Sequence, residues 1–425
     1  MPNDLPGWLA YIEQQHAQTI ALGLERVECV RAAMGLVPAV PVITVAGTNG
    51  KGSTCAMLEA VLAAAGYRVG LYTSPHLLRY NERVRIAGRA ADDSALVAAF
   101  ARVEAARTGK TGKTPLTYFE FGTLAAVDLF LRSAVDVLVL EVGMGGRLDA
   151  VNAFDADCAI VTGIGLDHVE YLGATREAIG HEKAGIFRAG RPAVLADPAP
   201  PQSVLAHAQA IGARLLRIGH EFGYRVEGDR WLFWGPAGEK SGLPFPALRG
   251  EIQLLNASAA CAALDTLRQR LPVSMQHLRR GLIEVELRGR FEQTLGRPVV
   301  VLDVAHNPQA AAVLSDNLSG MGACAHTWAV FGMLRDKDIA GVASQMAQRI
   351  DRWMVCTLPP PRGARAGELA QALHAAGVAA VRQFENPALG YAAACSEAGE
   401  NDRIVVFGSF HTVADVLAAR ETPKA

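Results

Sequence analysis

The feature that most constrains the fold is the segment VITVAGTNGKGS, which spans residues 42–53. A β-prone run leads into a turn that contains Gly47, Gly50 and Gly52, with Lys51 among them. A strand, a glycine-rich turn and a helix N-terminus create an anion site from backbone N–H groups. Gly52 stands where the Walker A pattern places Ser or Thr. The segment therefore predicts a βα unit that binds phosphate; a tight turn with a solvated lysine is the alternative.

Apolar runs alternate with alanine-rich helical segments along the rest of the chain. Strands that alternate with helices imply βαβ units and a parallel sheet, so the fold class is α/β. Gly66 fits the end of the first of these helices. Strands are predicted at 40–45, 69–72, 135–141 and 159–162, and helices at 53–65 and 119–133.

The chain is expected to contain two domains of this class. A β-rich excursion is predicted at 214–246, where aromatic residues, glycines and prolines gather, and a polar segment poor in helix formers occupies 288–298. New strands follow near 299–304, 328–333, 353–356 and 404–407, and a helix follows Pro308. These patterns predict an N-terminal P-loop ATPase-like parallel-sheet domain (1–288), a linker (289–298) and a smaller Rossmann-like α/β domain (299–425), with a cleft between them.

Composition excludes several partner classes. The formal net charge is -1, which argues against binding to nucleic acid or a membrane surface by bulk electrostatics. No apolar run reaches the ~18 residues that a membrane span needs, and the first residues do not resemble a secretory signal. The seven cysteines are scattered without CxxC pairing, a pattern typical of reduced thiols. A cytoplasmic protein is expected.

Polar residues lie at three predicted strand ends, where parallel strands meet at one sheet edge. Ser74 follows the second strand, Glu141 ends a buried strand, and Asp167 and His168 follow another. A buried carboxylate is costly unless it is paired or bound to metal. Considered alone, Ser74 is better interpreted as a turn residue before Pro75, and His168 is better interpreted as a structural histidine. Together they favour a metal site.

Eight motifs, in chain order, resemble those of the folylpolyglutamate synthase/dihydrofolate synthase family of the Mur ligase superfamily. The resemblance implies an ATP-dependent ligase that phosphorylates a carboxylate and joins it to L-glutamate. The implied substrates are 7,8-dihydropteroate and tetrahydrofolates, with two Mg²⁺ ions, a monomeric state, and a K⁺ requirement left open. The motifs are GTNGKGS, YTSPHLLRYNERVRI, TYFEFGTLAA, EVGMGGRLDA, DHVEYLG, HEKAGIFR, DVAHNP and FGSFHTVADV.

The resemblance assigns residues to the nucleotide and the metal. Ser74, Glu141 and His168 would hold magnesium, so that Ser74 supplies the oxygen that Gly52 lacks. Lys183 matches a carbamylated lysine that binds a second ion, and carbamylation requires the neutral amine. A plain helical lysine paired with Glu182 or Glu177 is the alternative. The implied ATP contacts are Gly47, Thr48, Asn49, Gly50, Lys51, Gly52, Ser53, Asn256, Arg290 and Asp303, with Lys51 at the γ-phosphate.

The resemblance also assigns a pterin site. Aromatic faces suit a flat ring, and a carboxylate such as Asp149 suits adjacent N–H donors. One of Phe119 and Phe121 is expected to be core. Family members commonly have Thr before Asn152, whereas Val151 stands there, so a hydroxyl contact at that position is in doubt. The implied contacts are Thr117, Tyr118, Phe119, Glu120, Leu148, Asp149 and Ala150.

In the second domain, His306 is a candidate for binding or deprotonating the glutamate ammonium. Ser409, Phe410 and His411 are candidates for the glutamate side, although His411 is equally explained as a residue at a helix N-terminus. Arg290 suits closure over the phosphates, or it is an ordinary linker arginine. Arg79, Arg83 and Arg85 either hold substrate carboxylates or lie on a solvated β-ribbon, with equal weight.

Four other functions compete with the bifunctional ligase. The protein could be a folylpolyglutamate synthase only, or a P-loop regulatory nucleotide-binding protein, which would leave Lys183 and DVAHNP idle. A muramyl peptide ligase would need an N-terminal uridine-nucleotide domain, and only about 40 residues precede the phosphate loop. A noncatalytic relative would bind ATP and form no product.

Overall fold

The computed structural model describes residues 1–18, 20–109, 112–294 and 296–421. The chain divides into two compact units. The first comprises Met1–Ala247 and Leu254–Val285, and the second comprises Leu248–Gln253 and Glu286–Ala425. The division is discontinuous in sequence, because a short segment before residue 254 belongs to the second unit.

The first unit is an α/β assembly with a large sheet and a small one. Its strands, among the described residues, are β1 (Val42–Ala46), β2 (Val69–Tyr72), β3 (Val84–Ile86), β4 (Arg89–Ala90), β5 (Val137–Glu141), β6 (Cys158–Val161), β7 (Pro192–Leu195), β8 (Arg214–Arg217), β9 (Gly223–Glu227), β10 (Arg230–Gly235) and β11 (Gly238–Pro244). Its helices are α1 (Leu5–Glu13), α2 (Glu25–Met34), α3 (Lys51–Ala64), α4 (Asp93–Arg107), α5 (Tyr118–Arg132), α6 (Val169–Leu172), α7 (Arg176–Ala184), α8 (Gln202–Ile211), α9 (Ile252–Thr266, which begins in the segment assigned to the second unit) and α10 (Met275–Glu284).

The large sheet places the ends of non-consecutive strands side by side. Its order is β4-β3-β2-β5-β1-β6-β7-β8, and β2, β5, β1, β6, β7 and β8 are parallel. Every residue of β1 is buried, as expected for a central strand of a parallel sheet covered on both faces. The carboxyl ends of β2, β5, β1 and β6 therefore form one edge, which is where ligands bind in open α/β sheets.

The small sheet comprises β9, β10 and β11 in antiparallel order. Trp231 and Phe233 of β10 are fully buried. The β-rich excursion predicted at 214–246 is thus confirmed, although its first strand, β8, joins the large sheet.

The second unit is a smaller α/β assembly. Its sheet has the order β12-β13-β17-β14-β15-β16, in which β12 is antiparallel and the others are parallel. Its described elements are β12 (Glu292–Thr294), β13 (Val299–Leu302), α11 (Pro308–Ser319), β14 (Thr327–Phe331), α12 (Ile339–Met346), β15 (Arg352–Cys356), α13 (Ala366–Ala375), β16 (Val381–Phe384), α14 (Pro387–Glu397), β17 (Arg403–Phe407) and α15 (Phe410–Glu421).

The predicted α/β class with two parallel-sheet units is confirmed. Residues 289–298, expected to form a linker, contain β12, which pairs with β13. The helix predicted at 53–65 begins two residues earlier, because Gly50 takes a left-handed conformation and Lys51 opens the first turn. Within the described residues, no helix combines the length and the apolar character that crossing a bilayer demands.

Candidate active site

The phosphate loop connects β1 to α3 and is built on glycine. Gly50 has φ 90°, and a Cβ atom there would lie 2.4 Å from Oδ1 of Asn256. Only glycine fits such a position. The Lys51 ammonium folds back over the turn and donates to the carbonyl oxygens of Gly47 (3.1 Å) and Thr48 (3.4 Å). Backbone N–H groups and a lysine thus converge at a helix N-terminus, and Asn256 lies against the same loop.

Thr48 connects the phosphate loop to the segment after β6. Its backbone N–H donates to the carbonyl oxygen of Gly163 at 2.8 Å. Its hydroxyl donates to the carbonyl oxygen of Gly165 and accepts from the N–H of Gly165, both at 3.0 Å. The segment held in this way continues into Asp167 and His168. Thr48 therefore fixes two neighbouring strand ends relative to each other.

Ser74 and Glu141 lie together at the ends of adjacent strands. The backbone N–H of Ser74 donates to Oε2 of Glu141 at 3.1 Å. Glu141 is buried, with only 4% of the residue exposed. Burial raises the pKa of the Cys55 thiol, the Glu141 charge raises it further and Lys51 opposes the rise. Glu141 therefore lies near Cys55 of α3, the helix that follows the phosphate loop.

His168 occupies an unusual backbone position at the start of α6. Its φ of 51° is left-handed, a conformation that histidine tolerates better than β-branched residues do. Its N–H donates to Oδ1 of Asp167 at 2.8 Å, and its Nε2 lies 3.9 Å from Oδ2 of Asp167. The side chain is 30% exposed, so the imidazole is accessible at the sheet edge.

Lys183, on α7, is buried among charged groups that belong to the site. Burial lowers its pKa to about 7, and the Lys51 charge lowers it as well, while Asp167 and Asp149 oppose the shift. Lys51, Lys183, Asp149 and Asp167 therefore share one neighbourhood. A lysine with such a pKa is largely neutral at slightly alkaline pH, which is the form that reacts with carbon dioxide.

The alternative of a plain helical ion pair for Lys183 does not hold. Glu182 pairs instead with Arg147 at 2.8 Å. The Glu177 carboxylate accepts the backbone N–H of Ser203 at 2.8 Å, and the Glu177 carbonyl oxygen accepts the Ser203 hydroxyl at 2.7 Å. The carboxylates next to Lys183 in sequence thus have other partners.

The donor set fits a divalent cation. Glu141, the hydroxyl of Ser74 and the imidazole of His168 are ligands that magnesium or manganese accepts, and a carbamate on Lys183 would add oxygen. The contact between Ser74 and Glu141 brings two of these residues together. Among the described ranges, no three His, Cys, Asp or Glu side chains form a metal-binding group. A divalent-cation site there would depend on ligands of other kinds, namely the Ser74 hydroxyl and a carbamate on Lys183.

The residues predicted to contact a pterin begin α5. Phe119 packs against Tyr72 with ring centroids 5.7 Å apart, and a Cβ atom on Gly143 would lie 2.7 Å from its ring. Phe121 is fully buried, so the expectation that one of the two phenylalanines is core is confirmed. The ring of Tyr118 stands edge-on to that of Tyr80 at 5.8 Å. Phe119 is therefore the aromatic face that borders the Gly143 loop.

Thr117 and Glu120 form the N-terminal cap of α5. The Thr117 hydroxyl accepts the N–H of Glu120 at 3.3 Å, and the Glu120 carboxylate accepts the N–H of Thr117 at 2.7 Å. Arg26 donates to both carboxylate oxygens of Glu120, with a shortest distance of 2.7 Å. Glu120 is 3% exposed. Both of its oxygens are thus engaged within the protein, a role that the sequence did not suggest.

Asp149 is a buried carboxylate held by backbone donors. It accepts the N–H of Met144 at 2.9 Å and the N–H of Val151 at 3.0 Å. Burial raises its pKa to about 7 against these hydrogen bonds and the Lys51 charge. The contact from Val151 to Asp149 uses the backbone N–H and does not depend on the Val151 side chain. Of the two neighbours of Asp149, Ala150 is buried. The carbonyl oxygen of the other, Leu148, accepts the N–H of Gly23 at 3.3 Å.

The three arginines after Ser74 have separate surroundings. Arg79 pairs with Asp93 at 3.0 Å, and Arg85 pairs with Glu59 at 3.1 Å. Arg83 lies 5.5 Å from the ring centroids of both Tyr80 and Tyr118, and its Nε donates to Nδ1 of His76 at 2.8 Å. Only Arg83 therefore lies with the aromatic residues at the start of α5.

A cavity of about 570 Å³ lies between the 20–22 segment and α6, the short helix that follows His168. Tyr171, which lines it, is 44% exposed, and Val169 on the same short helix is 47% exposed. The lining residues are Gln18, Ile20, Ala21, Leu22, Glu170 and Tyr171.

In the second unit, Asp303 organises the end of β13. Its carboxylate accepts the N–H groups of Phe291 (2.8 Å) and Ala305 (2.7 Å). Burial raises its pKa, and Arg290, the two N–H groups and His306 counteract that rise. The three predicted residues Asp303, Arg290 and His306 thus lie together.

His306 and Arg290 both contact Phe410. The His306 ring lies 6.2 Å from the Phe410 ring, and the Arg290 guanidinium lies 5.0 Å from its centroid. Nδ1 of His306 lies 2.8 Å from the carbonyl oxygen of Val304. In the neutral ring Nδ1 then carries the proton, and Nε2 is the basic nitrogen.

Ser409 and His411 flank Phe410 and differ in role. Ser409 is buried; its hydroxyl accepts the N–H of Thr412 at 3.0 Å and lies 2.8 Å from the Thr412 hydroxyl. It therefore caps α15. His411 is exposed in the first turn of that helix, a position that agrees with either predicted role.

Several residues that shape the site were not found from the sequence. The Thr162 hydroxyl donates to the carbonyl oxygen of Asn49 at 2.7 Å. Asp197 accepts the N–H of Ile164 at 2.8 Å and pairs with Arg176 at 3.0 Å. Only Thr162 carried a signal, because it is the last residue of a predicted strand; the others hold the loop through contacts distant in sequence.

Two families of the Mur ligase group match this chain. The Mur ligase middle domain matches residues 45–264, and the Mur ligase glutamate ligase domain matches residues 289–410. The dihydrofolate synthase/folylpolyglutamate synthase of Escherichia coli is 46% identical over 414 residues, which cover 97% of this chain and 94% of that protein. The protein of the same name from Haemophilus influenzae is 42% identical and covers 98% of each chain.

Solved structures agree. Escherichia coli FolC in complex with DHPP and ADP has a TM-score of 0.92 at 44% identity, covering 99% of this chain and 100% of that one. A bifunctional folylpolyglutamate synthase/dihydrofolate synthase with Mn, AMPPNP and L-glutamate bound has a TM-score of 0.91 at 44% identity, covering 99% and 98%. The resemblance predicted from the motifs is confirmed. The chain belongs to the Mur ligase family and, within it, to the dihydrofolate synthase/folylpolyglutamate synthase proteins.

Proposed function

We propose that this protein is an ATP-dependent ligase that joins L-glutamate to 7,8-dihydropteroate and to tetrahydrofolate or its polyglutamates. The observation that carries the proposal is the shared neighbourhood of Lys51, Lys183, Asp149 and Asp167 beside a glycine-rich loop. In this group Lys51 belongs to the phosphate site, Lys183 is the lysine proposed to be carbamylated, and Asp149 is the carboxylate proposed to accept a ring N–H. Relatives of the same length bind DHPP with ADP, or an ATP analogue with Mn and glutamate.

The reaction needs activation of a carboxylate. Oxide is a very poor leaving group, so an amine does not displace it from a carboxylate. Transfer of the γ-phosphoryl group to a carboxylate oxygen gives an acyl phosphate and ADP. The glutamate amino group then attacks the carbonyl carbon, phosphate leaves with that oxygen, and a proton leaves the nitrogen. Lys51 and the backbone N–H groups stabilise the charge on the transferring phosphoryl group.

The nucleotide is proposed to occupy the loop of the first unit. Asn256 contributes because it lies against Gly50. Arg290 and Asp303 are proposed as further nucleotide contacts. In the loop itself the proposed contacts are Gly47, Thr48, Asn49, Gly50, Lys51, Gly52 and Ser53.

A divalent cation is proposed beside the loop, held by Ser74, Glu141 and His168. A carbamate on Lys183 would hold a second ion. When bound, such ions neutralise charge on the phosphates and on the transferring group. The protein's own contribution is to bury Glu141, to keep Lys183 neutral enough for modification, and to fix the His168 segment through Thr48.

The pterin is proposed to bind against Phe119, with Asp149 as the acceptor of ring N–H groups. Thr117, Tyr118, Leu148 and Ala150 border the same region. Glutamate is proposed to bind in the second unit, with His306 as the proposed acceptor of a proton from the ammonium. Ser409 and His411 flank Phe410 in that unit and complete the proposed set. A monomer is the expected state.

Product analysis tests the function directly. Purified protein is incubated with ATP, Mg²⁺ and L-glutamate, together with either 7,8-dihydropteroate or tetrahydrofolate, and products are identified by mass spectrometry. The proposal expects a mass increase of one glutamyl residue on each substrate, with ADP formed in equal amount. Product from tetrahydrofolate alone would indicate a folylpolyglutamate synthase only. ADP release independent of both substrates would indicate a regulatory nucleotide-binding protein.

A further inference from the structure

The ion pair between Arg26 and Glu120 has one buried and one partly exposed partner, and it joins distant parts of the first unit. Its side chains are 23% and 4% exposed, and 94 residues separate the partners in sequence. Nε and a terminal nitrogen of Arg26 both donate to Oε1 of Glu120, at 3.1 and 2.7 Å, and Nε lies 3.3 Å from Oε2. A forked, partly buried contact of this kind fixes both side chains more firmly than a surface pair does.

Each partner also holds a backbone segment. Arg26 donates to the carbonyl oxygen of Ala21 at 2.8 Å. Glu120 accepts the N–H of Thr117 at 2.7 Å. One short bridge thus connects the segment before α2 with the first turn of α5.

The segment held by Arg26 reaches the Asp149 loop. Gly23 donates its N–H to the carbonyl oxygen of Leu148 at 3.3 Å. The ion pair is therefore linked to both walls of the proposed pterin site, namely Phe119 at the start of α5 and Asp149 in its loop.

We propose that Arg26 and Glu120 are a positioning pair that sets the spacing between the start of α5 and the 21–23 segment, and thereby positions the groups that bind the pteroyl substrate. The inference rests on the proposed function and assigns Glu120 to positioning, in place of the direct substrate contact expected from the motif. Neither side chain contacts the reacting atoms. Their effect should appear in pteroyl binding and leave phosphoryl transfer unchanged.

A second buried ion pair on α5 provides a matched control. Asp128 lies in the same helix, its side chain is 4% exposed like that of Glu120, and it pairs with Arg102 and Arg132. Loss of its charge should affect stability in the same way, but Asp128 holds neither the first turn of α5 nor the 21–23 segment. A difference between the two sites therefore separates positioning from stability.

The experiment compares Glu120→Gln, Arg26→Gln, the double variant and Asp128→Asn. Glu120→Gln removes the charge and one of the two acceptor oxygens, so its single amide oxygen can accept from the Thr117 N–H while the forked contact with Arg26 is lost. We expect KM for 7,8-dihydropteroate to rise about 10-fold or more in Glu120→Gln and Arg26→Gln, because small misplacements of substrate-binding groups are costly. KM for ATP and for glutamate should stay within about twofold. The double variant should resemble each single variant, because the pair acts as a unit.

Arg26→Lys serves as the conservative variant. Lysine keeps the charge but loses the forked geometry, so an intermediate KM for dihydropteroate is expected. Folding of every variant is checked by urea unfolding, and should Glu120→Gln fail to fold, Arg26→Lys and Asp128→Asn still make the comparison.

Two results would overturn the inference while leaving the function intact: an unchanged KM for dihydropteroate in the Arg26 variants, or an equal rise in Asp128→Asn. A wild-type protein that forms no product from any pteroyl substrate would overturn the proposed function and this inference with it.

Discussion

The backbone N–H of Ser74 donates to the buried carboxylate of Glu141 at 3.1 Å, which joins the ends of the neighbouring strands β2 and β5. The contact places Ser74 next to a carboxylate at the sheet edge that carries the phosphate loop. A Walker A loop supplies a hydroxyl directly after its lysine, whereas this chain has Gly52 there. Ser74 is therefore the candidate that replaces it.

Replacement of Ser74 tests this assignment. We expect Ser74→Ala to raise the Mg²⁺ concentration for half-maximal ligation by about 10-fold or more, since loss of a ligand or its support weakens metal sites by at least that factor. Ser53→Ala is the comparison, because Ser53 is also a hydroxyl near the loop. Magnesium titrations of the initial rate decide between them, and a larger effect of Ser53→Ala would remove Ser74 from the site.

Lys51→Met should nearly abolish ligation. The ammonium stabilises charge that develops in the transition state, and removal of one such group typically costs about 10²–10³-fold in kcat. ADP formation in the presence of both substrates is the readout, and circular dichroism checks the fold. A variant with kcat close to wild type would show that Lys51 binds elsewhere or not at all.

Lys183 should make stability depend on pH in a defined direction. Its pKa falls from 10.5 to about 7 on folding, so between these values the unfolded chain binds a proton that the folded chain does not. Stability therefore rises with pH through that window. Below about pH 7 the full cost of burying the charged amine is present, about 5 kcal/mol at most. Because Lys183→Met has no charge to bury, it removes this cost and should be more stable than wild type at pH 6.

Urea unfolding of the nucleotide-free protein in CO₂-free buffer measures that difference. The advantage of Lys183→Met should shrink toward pH 10. Lys240→Met is a suitable control, because Lys240 pairs with Asp265 at 2.7 Å and its loss should destabilise the protein. A Lys183→Met protein no more stable than wild type at pH 6 would contradict a depressed pKa.

Asp149 should make pteroyl binding depend on pH. Burial raises its pKa from 3.8 to about 7, so the carboxylate is charged above that value and neutral beneath it. If it accepts N–H groups from the ring, KM for dihydropteroate should rise as the pH falls from 8 to 6. Asp149→Asn should raise that KM by about 10–100-fold, the worth of a charged hydrogen bond, and flatten its pH profile. A variant that keeps the wild-type pH dependence would exclude Asp149 as its source.

The sequence predicted the elements whose signals are local. Buried strands such as Val42–Ala46 and Val137–Glu141 were visible as apolar runs, and the glycine-rich turn marked the start of α3. Sheet order was not visible, because β1 lies between β5 and β6, which are distant in sequence. The assignment of residues 248–253 to the second unit could not be predicted from the sequence either, because it depends on tertiary contacts and not on composition.

For the site, the residue types were predictable and their partners were not. The motifs pointed to Glu120, but its engagement by Arg26 depends on a residue 94 positions away. Arg79, Arg83 and Arg85 looked alike in sequence, yet Glu59 and Asp93 pair with two of them and leave Arg83 among aromatic rings. Such differences arise from tertiary packing, which local patterns do not encode.

Oxygen transfer tests the acyl-phosphate mechanism most directly. Dihydropteroate carrying oxygen-18 in its carboxylate is ligated to glutamate with unlabelled ATP, and the inorganic phosphate is analysed by mass spectrometry. The mechanism predicts one labelled oxygen in phosphate for each amide bond formed. Phosphate without label, alongside normal formation of dihydrofolate, would contradict it.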